Sequence, residues 1–283
     1  MLSTGWLQPI HRLSREARLS FNSLPLGLIL GVLVGWLGYQ ARALTASGAA
    51  AAALLGAVIF SFGGLGAAVL VIFFFISSSI LTRFKAEQKE AFLLSFEKGG
   101  RRDLWQVLAN GGVAALFVIL QAWSESPIAL IGFVGALAVA TADTWGTEIG
   151  VLSQRKPRSI FTGQVVPRGT SGGITTLGTS ASAIGAFAIG LIGLFVLDDW
   201  RIVPLGLVGG FAGATFDSLL GDRWQGMYFC SNCEKSTESH PVHHCGSETH
   251  YQRGWRWLDN DWVNFLATWV GAGVSMFIAM LWI

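Results

Sequence analysis

Carboxylates stand inside two segments that are otherwise apolar and long enough to cross a membrane. Asp143 and Glu148 lie in the run ATADTWGTEIG at the end of one segment, and Asp217 lies in the run FDSLLG at the end of another. A bare carboxylate at such a position is costly unless it faces a polar cavity, a cation or a partner. The three residues therefore predict a polar cavity with acidic walls.

The other polar side chains predict where this cavity opens. Arg102, Gln106 and Asn110 recur every four residues, so they form one stripe along a helix that leads into the membrane. Random placement would scatter polar residues over both membrane faces, whereas here they gather at one, so we expect a single cavity lined by helix ends. The polar helix ends are residues 77–82, 106–110, 143–148, 175–176, 217–222 and 259–264.

The acidic residues differ in their expected roles. Five residues separate Asp143 from Glu148, which splays the two side chains by about 140° on an ideal helix, so they do not form a carboxylate dyad. Asp143 lies deeper and is the better candidate for a functional group. Glu148 could instead be a lip residue paired with a loop arginine. For Asp217 the alternative is a hydrogen bond to a neighbouring helix.

A glycine-rich run, PRGTSGG at residues 167–173, immediately precedes an apolar segment. If Thr170 or Ser171 caps the following helix, its free N–H groups point at the polar face and form an anion site. Glycine lets backbone amides approach phosphate oxygens closely, and arginine adds charge. An ordinary turn before a helix is the alternative. The expected phosphate-binding residues are Arg168, Gly169, Thr170, Ser171, Gly172 and Gly173, with Arg158 beside them.

All three cysteines lie in one polar loop, which contains the CxxC pair Cys230 and Cys233 and, further on, Cys245. This spacing, with a histidine between, suits tetrahedral Zn(II) and is typical of a structural site in a reducing compartment. The spacing leaves open which of three histidines is the fourth ligand, and we take His243 as the candidate. A catalytic thiol is less favoured, because no separate base is evident. The other two histidines are His240 and His244.

Composition indicates a polytopic membrane protein. Of 283 residues, 52% are hydrophobic and 13% charged, and the mean hydropathy is +0.54. A net charge of +2 argues against nucleic acid as a partner. We expect an amphipathic segment at residues 1–23 and one membrane domain at 24–283, an all-α bundle of about eight transmembrane helices with a small zinc-binding loop at 228–258. The expected spans are 24–42, 46–62, 64–82, 104–122, 127–148, 176–196, 202–224 and 259–282.

The distribution of basic residues predicts the orientation. The loops at 83–103, 149–175 and 225–258 hold most of the lysines and arginines, so the positive-inside rule places them in the cytoplasm. The same loops flank the polar helix ends. The candidate site is therefore expected to face the cytoplasm, although the three arginines of the N-terminal segment would then lie on the other side.

Six motifs, taken in order, resemble the integral membrane family that includes plant and cyanobacterial phytyl-phosphate kinase and animal transmembrane protein 19. The similarity covers roughly residues 24–283, and the joint order is far more specific than any single motif. The family has proline where this chain has Arg168. The motifs are QVLANGG, ATADTWGTEIGVLS, VPRGTSGGIT, FDSLLG, the Cys/His cluster and LDNDWVN.

The resemblance implies phosphoryl transfer from a nucleoside triphosphate, CTP or ATP, to an isoprenoid lipid monophosphate such as phytyl phosphate. Asp143 and Asp217 would then hold Mg(II), Asn110 and Glu148 would orient the substrates, and the apolar helices would take the lipid tail. A cytidylyl-transferring lipid enzyme would share this site, and a transporter is less favoured because the polarity is one-sided. The residues expected to complete the site are Gln106, Asn260, Asp261 and Asn264.

Overall fold

The computed structural model describes residues 23–93 and 100–282. The amphipathic segment expected at residues 1–23 therefore lies, except for Ser23, outside the described residues. Most of the described chain is helical. The helices are α1 (Ser23–Gln40), α2 (Ala46–Arg83), α3 (Ala86–Leu93), α4 (Leu104–Ser124), α5 (Pro127–Gly150), α6 (Thr176–Leu197), α7 (Ile202–Arg223) and α8 (Asn260–Leu281).

Two small antiparallel sheets lie in the connections between helices, so the all-α expectation is wrong for these loops. Strands β1 (Arg158–Ser159) and β2 (Gly173–Ile174) pair between α5 and α6. Strands β3 (Met227–Cys230), β4 (Lys235–Thr237) and β5 (Thr249–Arg253) form a sheet of order β4-β3-β5 between α7 and α8. The polar connection expected at 83–103 also contains a helix, α3.

Helix α2 is broken at Gly64, which adopts φ 65° and ψ −167°. Glycine tolerates this conformation because it has no Cβ. Near the start of α2, Thr45 N–H donates to the Arg102 carbonyl (3.0 Å), and near its end the Thr82 hydroxyl donates to Glu148 (2.6 Å). Both ends of α2 therefore lie at the same end of the bundle, and its two legs run in opposite directions.

Six described helices, α2 and α4 to α8, are long and apolar enough to cross a membrane, and α1 adds a shorter apolar segment, Leu24–Gln40. The expected count of about eight treats the two legs of α2 as separate spans and includes α1. The break at Gly64 is compatible with that division. The count of eight itself stays a prediction.

Helix α5 is the centre of the bundle. In its most apolar stretch 78% of residues are buried, against 33% to 44% in the other five membrane-length helices. It contacts α4, α6, α7 and α8, and its N-terminal half contributes large side chains such as Phe133 and Leu137 to the core. The carboxylates at its C-terminal end are therefore carried by the most buried of the membrane-length helices.

Glycine permits close contact between the helices around α5. A Cβ added to Gly209 of α7 would lie 1.9 Å from Ser275 Oγ and 2.7 Å from the Gly271 carbonyl of α8. Ser275 is fully buried, and its hydroxyl donates to the Leu205 carbonyl (2.9 Å). Small residues of this kind let membrane helices approach and hydrogen bond across their interface.

We expect Gly209→Ala to destabilise the protein by about 1–3 kcal/mol, because the added methyl group must displace Ser275 from its hydrogen bond. The matched control is Gly273→Ala in the same helix pair, where an added Cβ meets nothing within 4 Å. Thermal unfolding in detergent measures both variants. Equal unfolding temperatures for the two would contradict the close packing of α7 and α8.

Candidate active site

A cavity of about 440 Å³ opens at the end of the bundle where α2, α5 and α7 end and α4, α6 and α8 begin. Its size falls in the range of small-molecule sites. The structure brings most of the sequence-predicted site residues into its wall. Those that line it are Gln106, Asn110, Asp143, Glu148, Arg168, Gly169, Thr170, Ser171, Gly172, Gly173, Asp217, Asn260 and Asn264.

Asp143 of α5 and Asp217 of α7 both line this cavity and lie close enough to interact electrostatically. Asp217 Oδ2 is buried and has no hydrogen-bond partner among the described residues. No ion pair of either aspartate is formed within the described ranges. Two close carboxylates without a counter-ion repel each other, so the pair fits a hard cation with oxygen ligands, such as Mg(II).

All three residues of the predicted stripe line the cavity, but only Gln106 and Asn110 lie on α4, because Arg102 precedes the N-cap Asp103. Asn110 Nδ2 donates to the Gln106 carbonyl (2.9 Å), while Asn110 Oδ1 is buried and forms no hydrogen bond with a described residue. Gln106 already uses its side-chain oxygen within the helix. That oxygen accepts from Asp103 N–H (3.1 Å) in the capping box that starts α4. Asn110 therefore offers a free acceptor to a bound ligand, and Gln106 chiefly fixes the helix.

Glu148 has a partner, but it is not the loop arginine that the sequence suggested. Its carboxylate forms an ion pair with Lys89 of α3 (2.7 Å), which is fully buried, and accepts the Thr82 hydroxyl. Arg102 also lies nearby: burial lowers the pKa of its guanidinium, and the Glu148 carboxylate opposes that shift. The sequence did not predict this lysine as the partner, because residues 83–103 were interpreted as a loop and Lys89 lies on a helix within them. Glu148 is thus held at the cavity lip by a lysine and a threonine.

The glycine-rich run is a turn and not the cap of a helix. Helix α6 begins at Thr176, and its N-cap is Thr175, whose hydroxyl accepts from Gly178 N–H (3.0 Å). The expectation that Thr170 or Ser171 caps the helix is therefore wrong, because the chain first forms β2. The Ser171 hydroxyl instead donates to Gln225 Oε1 (2.5 Å).

The turn still presents backbone donors to the cavity. Gly169 and Gly172 have φ of 79° and 75°, a conformation that glycine adopts readily. The N–H groups of Gly169, Ser171 and Gly172 donate to no other group in the part of the chain that the structure describes. Successive amides in such a turn form an anion-binding nest. The turn therefore keeps the anion-binding potential that the sequence suggested for a helix start.

Asp222 anchors this turn to the end of α7. Its carboxylate accepts from the Ser159 hydroxyl (2.5 Å) and from Phe161 N–H (3.1 Å). A Cβ at Gly172 would lie 2.3 Å from Asp222 Cβ, so the two backbones are in direct contact. Gly172 is therefore required for packing as well as for any approach to a ligand.

Two predicted site residues lie outside the cavity wall. Arg158 is exposed and donates to the Gly163 carbonyl (2.7 Å) in its own loop. Asp261 lies on the first turn of α8, about 100° around the helix from Asn260 and thus off the face shared by Asn260 and Asn264. Both assignments placed a charge near the site by sequence proximity, which does not fix the direction of a side chain.

The sequence did not reveal Glu238, which lines the cavity close enough to Asp217 to interact with it electrostatically. Glu238 follows β4 in the Cys/His loop, so no membrane-segment pattern marks it. Its flanking residues Thr237 and Ser239 are buried, although the loop is polar. Only the three-dimensional path of the loop places this carboxylate beside the aspartates.

The Cys/His loop gathers four possible metal ligands. The ligand atoms of Cys230, Cys233, His243 and Cys245 all lie within 4.8 Å of one another. His243 Nδ1 is 3.2 Å from Cys245 Sγ and 3.6 Å from Cys233 Sγ, whereas His240 stacks on Tyr228. The arrangement is compact enough for a single tetrahedral ion.

The cysteine thiols of this cluster differ in acidity. Hydrogen bonds from the side chain of His243 and from Ser247 lower the pKa of the Cys245 thiol to about 5. A hydrogen bond to Cys245, together with burial, raises the pKa of Cys233 to about 11. Metal binding requires the thiolate form, so zinc would release the proton from Cys233.

Comparison with known proteins gives the family. The family model described as integral membrane protein DUF92 matches residues 29–272. The chain belongs to this family. It is thus an integral, multi-pass membrane protein, and the membership indicated by the six motifs is confirmed. No solved structure matches the chain.

Individual relatives cover most of the chain. An uncharacterised membrane protein of Methanocaldococcus jannaschii is 40% identical over 182 residues, which are 64% of this chain and 75% of the relative. Protein PGR of Arabidopsis thaliana is 33% identical over 266 residues, 85% of this chain and 90% of the relative. Protein VTE6, chloroplastic, of the same plant is 27% identical over 253 residues, 85% and 68% of the two chains.

We propose that the four-residue cluster holds a structural Zn(II), so purified protein should contain one zinc ion per chain. Cys230→Ser and Cys233→Ser should each remove the metal and lower the unfolding temperature, because binding at such sites contributes directly to folding. Elemental analysis and thermal unfolding measure the two effects. His240→Ala, outside the cluster, serves as the control for zinc content. Wild-type zinc content in both cysteine variants would refute the assignment.

Proposed function

We propose that the protein transfers a phosphoryl group from a nucleoside triphosphate, CTP or ATP, to an isoprenoid lipid monophosphate such as phytyl phosphate, forming the diphosphate. The observation that carries this proposal is the cavity that joins buried carboxylates, an amide-rich glycine turn and arginine side chains at one end of an apolar bundle. The family resemblance of the six motifs supports the same reaction class. The cytoplasmic orientation of the cavity, indicated by the basic loops, is part of the proposal.

The proposed reaction needs little from the protein beyond positioning and neutralisation of charge. An oxygen of the acceptor monophosphate forms a bond to the γ-phosphorus, and the bond from that phosphorus to the β,γ-bridging oxygen breaks, releasing the nucleoside diphosphate. The attacking oxygen is already anionic, so no strong general base is required. The absence of histidine from the cavity wall formed by described residues is compatible with this.

Asp143 and Asp217 would hold Mg(II), because their oxygens are close together and without a counter-ion. A bound Mg(II) would supply positive charge that neutralises the charge developing on the transferred phosphate. Asn110 would accept a hydrogen bond from a ligand through Oδ1. The N–H groups of the glycine turn would bind phosphate oxygens, and Arg168, which lines the same wall, would add positive charge.

A narrow apolar cavity of about 70 Å³ adjoins the polar one. It lies between α1, the two legs of α2, and α4, and Arg102, Gln106 and Asn110 form part of both walls. A lipid phosphate bound across this boundary would keep its charged head in the polar cavity and its first isoprenoid carbons among apolar side chains. The apolar walls include Leu55, Ile59, Phe60, Val71, Phe74 and Leu137.

Replacing either aspartate should abolish transfer while the protein still folds. We expect Asp143→Asn and Asp217→Asn to lower the rate by about a thousandfold or more, because each removes a charge that holds the cation at the transferred phosphate. Asp198→Asn, at an exposed position at the far end of α6, is the matched control. The assay incubates purified protein in detergent with Mg(II), CTP or ATP, and a panel of isoprenyl monophosphates, and quantifies the diphosphate.

The products of this assay separate the alternatives. Release of pyrophosphate with a nucleotide attached to the lipid would identify nucleotidyl transfer and overturn the kinase proposal. Nucleotide hydrolysis alone would overturn the proposal that an isoprenyl monophosphate is the acceptor. Full activity of both aspartate variants would remove the cation assignment.

The apolar cavity should determine the preference for chain length. Gly111 lines it, and an added Cβ would meet only Leu55 Cδ1, at 2.9 Å. We expect Gly111→Val to raise KM for long-chain monophosphates about tenfold and to leave short-chain acceptors unaffected, because the added bulk obstructs only the tail. Gly112→Val is the control, since its Cβ would meet nothing within 4 Å. Equal effects on all chain lengths would contradict this location of the tail.

A further inference from the structure

The path of the Cys/His loop returns the chain to the cavity. Strand β3 begins four residues after α7 ends, and it pairs with β4 so that Tyr228 lies opposite Thr237 and Cys230 lies opposite Lys235. The hairpin therefore leads outward to the cysteines and then back toward the end of α7. Glu238, the residue after β4, therefore reaches the cavity wall that also contains Asp217.

Glu238 is buried at this position, with only 5% of its surface exposed, although it belongs to a polar loop. It lines the cavity together with Asp143 and Asp217 and interacts electrostatically with Asp217. Asp143 and Asp217 repel each other strongly in this cavity unless a cation lies between them, and Glu238 brings a third carboxylate to the same wall. The buried oxygen Asp217 Oδ2, which has no hydrogen-bond partner among the described residues, independently indicates that this wall binds a ligand.

We propose that Glu238 is a third carboxylate of the cation site and that the Cys230, Cys233, His243 and Cys245 cluster positions it there. This inference rests on the proposed function only in taking Asp143 and Asp217 as cation ligands. It adds a ligand from outside the membrane helices. The cavity would then bind its cation fully only when the Cys/His loop is folded against it.

The cluster can act in this way because it fixes the segment that follows Glu238. Between β4 and β5, residues 238–248 form neither a helix nor a strand. Near Glu238 this segment is held by the stacking of His240 on Tyr228, with ring centroids 4.4 Å apart. At its far end His243 and Cys245 meet the cysteines of the hairpin. A metal would therefore join this end of the segment to β3 directly, in addition to the hydrogen bonds from Thr249 to the Ser239 and Pro241 carbonyls.

Cation binding tests the role of Glu238 without measuring catalysis. The affinity of purified protein in detergent for Mn(II), a paramagnetic substitute for Mg(II), is measured by electron paramagnetic resonance in the absence of nucleotide. We expect Glu238→Gln to weaken binding about tenfold and to leave zinc content and unfolding temperature close to wild type. Glu248→Gln, an exposed glutamate of the same loop, is the control and should bind Mn(II) like the wild type.

The positioning role is tested by removing zinc. Cys233→Ser should lose zinc and weaken Mn(II) binding about as much as Glu238→Gln. The double variant should bind no more weakly than either single variant, because both changes remove the same ligand. Extraction of zinc from the wild type with a chelator provides a second route if the serine variant does not fold. Unchanged Mn(II) affinity after zinc loss would overturn the positioning role.

The outcomes separate this inference from the proposed function. If Asp217→Asn weakens Mn(II) binding and Glu238→Gln does not, Glu238 is no ligand, while the two-aspartate site stands. If Asp143→Asn and Asp217→Asn both bind Mn(II) like the wild type, the cation site itself is refuted, and the proposed role of Glu238 falls with it.

Discussion

Charge that is removed from water at one end of a helix bundle has to be balanced at that end, and the whole site depends on this constraint. Glu148 is balanced by the buried ammonium group of Lys89, and Asp222 by hydrogen bonds from Ser159 and Phe161. Asp143 and Asp217 have no such basic partner within the described ranges. Glu148 and Asp222 therefore contribute to the fold, whereas Asp143 and Asp217 are the carboxylates proposed to bind a cation.

Close helix packing makes this uncompensated pair possible. Gly209 of α7 packs closely against Ser275 of α8, and Gly213 against Val139 of α5, so α7 lies in close contact with both neighbouring helices. Repulsion between two carboxylates would otherwise be relieved by a small movement of α7. A rigid scaffold therefore preserves an electrostatic arrangement that is unfavourable in the absence of a cation.

The sequence predicted the helices and the aspartates because both follow from local rules. Membrane-length apolar runs predicted seven of the eight described helices, all except α3, and helical spacing placed Asn110 and Asp143 toward one cavity. The sequence-based predictions failed where contacts between distant segments determine the structure. The short strand β2 separates the glycine-rich run from α6, so the helix is capped by Thr175 and not by Thr170 or Ser171, and Lys89 lies on a helix within a connection interpreted as a loop. Glu238 was missed because only the pairing of β3 with β4 carries it back to the cavity.

The stripe on α4 has a geometric consequence. Arg102, just before α4, and Gln106 and Asn110 on α4 belong to the walls of both the polar and the apolar cavity, so the start of this helix lies at the boundary between them. With a rise of about 1.5 Å per residue, Gln106 and Asn110 lie about 6 Å apart along that boundary. In the proposed reaction, sliding or tilting α4 would change both how far the lipid tail enters the apolar cavity and how its phosphate is presented in the polar one.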